Sequence, residues 1–154
     1  MSGAAERLAA LGLTLPPVAP PVAAYVPAVR TGTYVYTSGQ LPTVNGKLPA
    51  VGKVGDEVSA QDAAGMARTC ALNALAAAAA AAGGLEAIRR IVKVTGFVAS
   101  APGFGGQPQV INGASELLIE VFGEDGKHSR SAIGVAELPL NAPVEVELIA
   151  EVRD

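Results

Sequence analysis

Arg130-Ser131-Ala132-Ile133-Gly134-Val135 and, beyond the connector 136–143, Val144-Glu145-Val146-Glu147-Leu148-Ile149-Ala150 are the stretches whose reading decides the fold. Both alternate β-branched or apolar residues with others, so each reads as a strand, and Leu138-Pro139-Leu140-Asn141-Ala142-Pro143 reads as their connection. The expected unit is a hairpin. A period of two puts Arg130, Ala132 and Gly134 on one face and Ser131, Ile133 and Val135 on the other, so the guanidinium shares its face with two very small residues. Glu145 and Glu147 share a face, opposite Val144, Val146 and Leu148. An arginine fork grips a carboxylate through two parallel hydrogen bonds, and a carboxylate orients or activates a water. On a plain solvated strand face the same residues would form only cross-strand ion pairs, which do little chemistry.

Within Ile88 to Ala99, the run Ile91-Val92-Lys93-Val94-Thr95-Gly96-Phe97-Val98 reads as a buried strand whose link back through a helix makes a parallel crossover. A helix is predicted from the N-cap Ser59 to about Ala82, stopped by Gly83-Gly84, and a second over Gln107 to Phe122, ended by Gly123. Its alanine run, 76–82, has the best helix propensity and permits close packing on a sheet. Tyr25 to Val29 and Tyr34 to Ser38 read as a first hairpin around Arg30-Thr31-Gly32-Thr33. The glycine of Ser38-Gly39-Gln40 lets backbone approach a ligand, or marks a strand end. Residues 42–57 read as a loop, as does Pro102-Gly103-Phe104-Gly105-Gly106, which lacks the spacing of a phosphate-binding loop. At the N-terminus a short helix over residues 4–11 precedes an extended segment forced by Pro16, Pro17, Pro20 and Pro21. The organisation is an N-terminal arm, 1–22, and one domain, 23–154. The order β-β-α-β-α-β-β with a mixed sheet and two helices on one face is an α+β fold.

At 154 residues, half of them hydrophobic, the chain can bury a single core, and with aromatics at only 4% that core must be built from Ala, Val, Leu and Ile. A net charge of −3, with 11 basic residues scattered among 14 acidic ones, argues against nucleic acid as a partner. Cys70 is the one cysteine, which fits a reducing cytoplasm and excludes an intramolecular disulfide. It reads as a core residue rather than a nucleophile, since no His or Lys neighbours it. One His and one Cys cannot build a zinc site, so no metal is expected. No membrane span is expected either.

Arg130-Ser131-x-Ile133-x-Val135-x-x-Leu138-Pro139 followed by Val144-Glu145-Val146-Glu147-x-Ile149-Ala150 resembles the C-terminal signature of the YjgF/YER057c/UK114 family, also called the Rid (reactive intermediate deaminase) family. Tyr36-Thr37-Ser38-Gly39-Gln40-Leu41-Pro42 resembles that family's early Ser-Gly-Gln segment, and the similarity spans about residues 20–152. The resemblance implies a chorismate-mutase-like fold and homotrimers with sites in the clefts between subunits. It implies hydrolytic deamination of enamines or imines derived from amino acids, such as 2-aminoacrylate, to 2-keto acids and ammonia, without a metal or organic cofactor. By the same resemblance Arg130 binds the substrate carboxylate and Glu145 positions the attacking water. Tyr25, Ser38, Gly39 and Asn112 complete the binding set. Read from residue type alone, Tyr25 is a strand aromatic and Asn112 a helix-start residue. His128 stands where the family usually has Pro or Ala, and is either an acid or base beside Arg130 or a loop histidine. Ala132 replaces a cysteine frequent in active members, and Ala23-Ala24 precede Tyr25 in place of Gly-Pro. The arm and the loop 101–108 are additions, so the branch is a divergent one. The alternative function is a non-catalytic binder of small carboxylate metabolites at intersubunit clefts. RNA cleavage, attached to some relatives, is disfavoured by the acidic charge.

Overall fold

A computed structural model describes residues 2–21 and 23–154; residues 1 and 22, the two ends of the expected arm, lie outside the described residues. The first hairpin consists of β1 (Ala28–Thr31) and β2 (Tyr34–Thr37), antiparallel, with Ala28 opposite Thr37 and Thr31 opposite Tyr34. β1 begins at Ala28 rather than Tyr25 because Pro27 has no N–H for a ladder. The Pro27 carbonyl instead accepts from the Ser38 N–H at 2.8 Å.

The predicted helix boundaries hold at both long helices. α1 is the short N-terminal helix (Ala4–Ala10), whose Leu8 is buried in the core. α2 (Ala60–Ala82) starts where Ser59 Oγ accepts the Asp62 N–H at 3.1 Å, and stops at Gly83, whose φ of 96° is left-handed. α3 (Gln107–Phe122) ends at Gly123 and packs on both α2 and α1. Where α2 and α3 cross, Gly113 lies against the Ala64 carbonyl so closely that a Cβ would collide with it.

β3 (Ile88–Ala99), β4 (Ser129–Val135) and β5 (Val144–Val152) complete a five-stranded mixed sheet of order β1-β2-β5-β3-β4. β3 and β4 run parallel through the α3 crossover, while β5 is antiparallel to both β3 and β2. α2 and α3 cover one face, burying Val94, Val98, Val146 and Leu148. This is the α+β, chorismate-mutase-like arrangement expected. Among the described residues no helix is long and apolar enough to cross a membrane.

The two C-terminal strands do not form a hairpin, contrary to the sequence reading. β3 lies between them, with Val94 opposite Arg130 on one side and Leu148 on the other. A twelve-residue strand that is buried along one face offers both of its edges for pairing. The connector 136–143 therefore steps over its end, where Ser100 N–H donates to Val135 O and Ala99 N–H to Pro143 O, both at 3.0 Å. The sheet face away from the helices leaves Val29, Tyr36 and Ile133 exposed at 53, 46 and 41%.

Candidate functional site

Glu145 is the second residue of β5 and points to the open face, directly opposite Phe97 of β3. Just past β2, Gln40 and Val146 exchange backbone hydrogen bonds at 2.8 and 3.0 Å, which clamps the Ser-Gly-Gln segment across the start of β5. Gly39 is thereby set over the carboxyl: a Cβ there would lie 2.7 Å from Glu145 Cδ. A side chain at this position would displace the Glu145 carboxyl. Burial, and then the nearby charge of Glu147, pushes the Glu145 carboxyl above its ordinary value of 4.5. The group is thus closer to the proton affinity that an acid or base needs near neutral pH.

Glu145 and Gly39 line a recess of about 230 Å³, which Tyr25 also borders. Ser38 does not border it; its Oγ donates to Val26 O at 2.6 Å and ties the Tyr25–Pro27 segment to the end of β2. Its contribution is to position Tyr25. Four of the six expected site residues therefore gather at one end of the sheet.

Arg130 and Asn112 gather elsewhere. Arg130 pairs with Val94, a helix-facing position, so its side chain runs toward α3 while Glu145 faces the other way. The expected convergence of the two groups within one copy is not observed, because an intervening strand and the alternation of faces separate them. The space that a Gly134 side chain would take is occupied by Gln107 Nε2 and Ser100 Oγ. Arg130 Nη1 donates to Asn112 Oδ1 at 2.9 Å and to Ser115 Oγ at 3.1 Å, and Nη2 donates to Pro108 O at 3.1 Å. Every one of these acceptors is neutral. Among the described residues no carboxylate forms an ion pair with Arg130, and no cation pairs with Glu145.

Ser115, which the sequence reading missed, sits on the same face of α3 as Asn112, three residues on; that spacing was the signal available. Its Oγ lies 2.9 Å from His128 Nε2, and His128 Nδ1 lies 2.6 Å from Gly126 O. His128 lies in the loop just before β4, and from there it contacts the Ser115 hydroxyl that also accepts from Arg130. Burial lowers its pKa, the Gly126 carbonyl opposes this, and the charge of Arg130 lowers it further. Cys70 is fully buried, with its thiol pushed well up by burial, and its Sγ contacts Val144 O at 3.6 Å. It is a core residue. Among the described residues no group of three or more His, Cys, Asp or Glu is placed to hold a metal ion.

The family described as "YjgF/chorismate_mutase-like, putative endoribonuclease" matches residues 5–152. Protein TCP17 of Trypanosoma cruzi is 40% identical over 151 residues, which are 97% of this chain and 94% of that protein. The crystal structure of Atu1372, a protein of unknown function from Agrobacterium tumefaciens, superposes with a TM-score of 0.90 at 47% identity, covering 97% of this chain and 92% of that one. E. coli TdcF, solved with bound serine, superposes with a TM-score of 0.64 at 30% identity, covering 91% of this chain and 94% of that one.

Proposed function

The chain belongs to the YjgF/chorismate-mutase-like family, and from that premise we propose that it hydrolyses reactive enamines and imines derived from amino acids, of the 2-aminoacrylate kind, to 2-keto acids and ammonia. The observation that carries this reading is the half-buried Glu145 carboxyl beneath Gly39, with raised proton affinity and no cation paired with it among the described residues. In the proposed reaction the enamine carbon takes a proton from solvent and the nitrogen releases one to solvent, which gives the imine. Water then adds its oxygen to the imine carbon while Glu145 accepts one of its protons and passes it to the nitrogen. The C–N bond of the carbinolamine breaks, the hydroxyl proton travels through the same carboxylate to the departing nitrogen, and ammonia leaves the keto acid.

The substrate carboxylate needs a cation, and we assign that role to Arg130 of a neighbouring copy. Three of its five N–H donors are held by Asn112, Ser115 and Pro108, which fixes the fork and leaves donors on Nε and Nη2 for an anion. Tyr25 and Asn112 line the two halves, with Ser38 and Gly39 shaping the first. A homotrimer closed through the apolar open face would bring the halves together. We assign the protein to the cytoplasm, in keeping with its single buried thiol.

The second reading, a non-catalytic binder of small carboxylates, is favoured by Ala132 standing where active relatives often have cysteine and by the serine bound in TdcF. RNA cleavage is opposed by the net charge of −3. The test is to generate 2-aminoacrylate from serine with a dehydratase and follow pyruvate. Acceleration is expected, and Arg130→Ala and Glu145→Gln should each reduce it at least about a hundredfold. Calorimetric binding of 2-keto acids with no acceleration would establish the binder instead.

A further inference from the structure

The three acceptors that hold Arg130 are not equivalent. Asn112 and Pro108 are exposed, so water competes there, whereas Ser115 is buried, with 9% of its surface accessible. Ser115 is the hold on the guanidinium that solvent replaces least readily. A hydroxyl rotates, however, and can spend its hydrogen on one neighbour and its lone pairs on another. His128 sets that choice. Its Nε2 lies 2.9 Å from Ser115 Oγ, and a neutral ring protonated on Nδ1 takes the hydroxyl hydrogen there, which leaves the oxygen lone pairs for Arg130 Nη1 at 3.1 Å.

His128 is in turn anchored from several sides. Its Nδ1 lies 2.6 Å from Gly126 O, and Gly126 is pressed onto α3 where a Cβ would collide with the Leu118 carbonyl. Before the ring's own residue, Lys127 O accepts from Arg90 Nη2 at 3.2 Å; after it, Ser129 Oγ donates to Val92 O, also at 3.2 Å. A rigid line therefore runs from the α3 backbone through Gly126, His128 and Ser115 to the guanidinium. All of its acceptors are neutral. A carboxylate in the place of Ser115 would grip Arg130 harder but would cancel the charge that a substrate anion needs.

The donors left over are Nε–H and one N–H of Nη2, which share an edge of the guanidinium and together take a carboxylate side-on. Resting on the assignment of Arg130 as the group that binds the substrate carboxylate, we propose that His128 is a positioning residue: by orienting the Ser115 hydroxyl it keeps that edge of Arg130 fixed and free for the substrate.

The test joins calorimetry of pyruvate binding, which reads the grip on a carboxylate directly, to steady-state kinetics on 2-aminoacrylate, which separate KM from kcat. At pH 7.5 His128→Leu, which keeps bulk but has no acceptor, should weaken pyruvate binding and raise KM about three- to tenfold, the worth of one neutral hydrogen bond. Its kcat should stay within about twofold, since the carboxylate is gripped alike in ground and transition states. His128→Gln, whose amide oxygen takes the Ser115 hydrogen, should return to within about twofold of wild type. Ser115→Ala should match His128→Leu, and the double variant should lose no more than about twofold beyond either, because His128 acts through the hydroxyl. Wild-type affinity in His128→Leu, a His128→Gln as weak as His128→Leu, or losses that multiply in the double variant overturn the inference and leave the deaminase reading standing. Pyruvate binding without acceleration removes the deaminase reading, and the same variants then decide the inference by affinity. Neither binding nor acceleration by the wild type removes both.

Discussion

His128 controls the arginine through a chain of ordered protons. With Nδ1 2.6 Å from Gly126 O, that nitrogen donates, and in the neutral ring Nε2 then accepts from Ser115, whose oxygen in turn accepts from Arg130 at 3.1 Å. Neutral imidazole with its proton on Nδ1 satisfies all three contacts. Burial holds its pKa below the ordinary 6.5, opposed by the Gly126 carbonyl and reinforced by the Arg130 charge. The unfolded chain therefore takes up this proton at a higher pH than the folded one, and stability is lost as pH falls from about 6.5 through the lower folded value. The wild-type Tm should drop between pH 7 and pH 5 by about 2 °C or more beyond the drop in His128→Gln, where that proton is absent. Parallel Tm profiles would show that the imidazole is not held neutral. Alternation along the strand already put His128 and Arg130 on one face. The sequence did not disclose Ser115 between them, nor Gly39 against Glu145, because these contacts join segments that no local period connects.

Elements were legible where a local rule sets them. Ser59 caps α2 with its own side chain, Gly83 and Gly123 stop the long helices, and the alternation in β3 and β5 separates a buried from an open face. Strand neighbours were not, since a period of two fixes which face a residue takes but not which strand lies beside it. Hence the expected hairpin gave way to β3 inserted between β4 and β5, and with it went the expected meeting of Arg130 and Glu145. Helix contact was likewise only half visible. Composition pointed to close packing of small residues, but the point of closest approach, Gly113 against the Ala64 carbonyl, is set by how α2 and α3 cross. Gly113→Ala should cost about 1–3 kcal/mol in chemical denaturation, because the new methyl meets backbone that cannot step aside. Gly65→Ala, in α2 with open space around it, should instead stabilise by about 0.5–1 kcal/mol. Equal effects at the two positions would mean that helix propensity, not the crossing, governs.

At the scale of the molecule, two half-sites and an uncovered apolar face belong to one account. The open face carries Val29, Tyr34, Tyr36 and Ile133, and β4 is an edge strand. Among the described residues of a single copy, Glu145 has no cation and Arg130 no anion in an ion pair, and the two lie on opposite sides of the sheet. A closed ring of copies would cover the face and join an Arg130 to a foreign Glu145, and this gives a test that depends on the assembly alone. Arg130→Ala and Glu145→Gln should each be inactive as pure proteins. When the two are unfolded together in equal amounts and refolded, each cleft draws its arginine from one copy and its glutamate from another at random. About a quarter of the clefts then hold both intact groups, and about a quarter of the wild-type rate should return. If each site drew both groups from one copy, no subunit in the mixture would carry the pair, and the rate would stay at that of the variants. The recovered fraction therefore distinguishes a site shared between subunits from one contained in each.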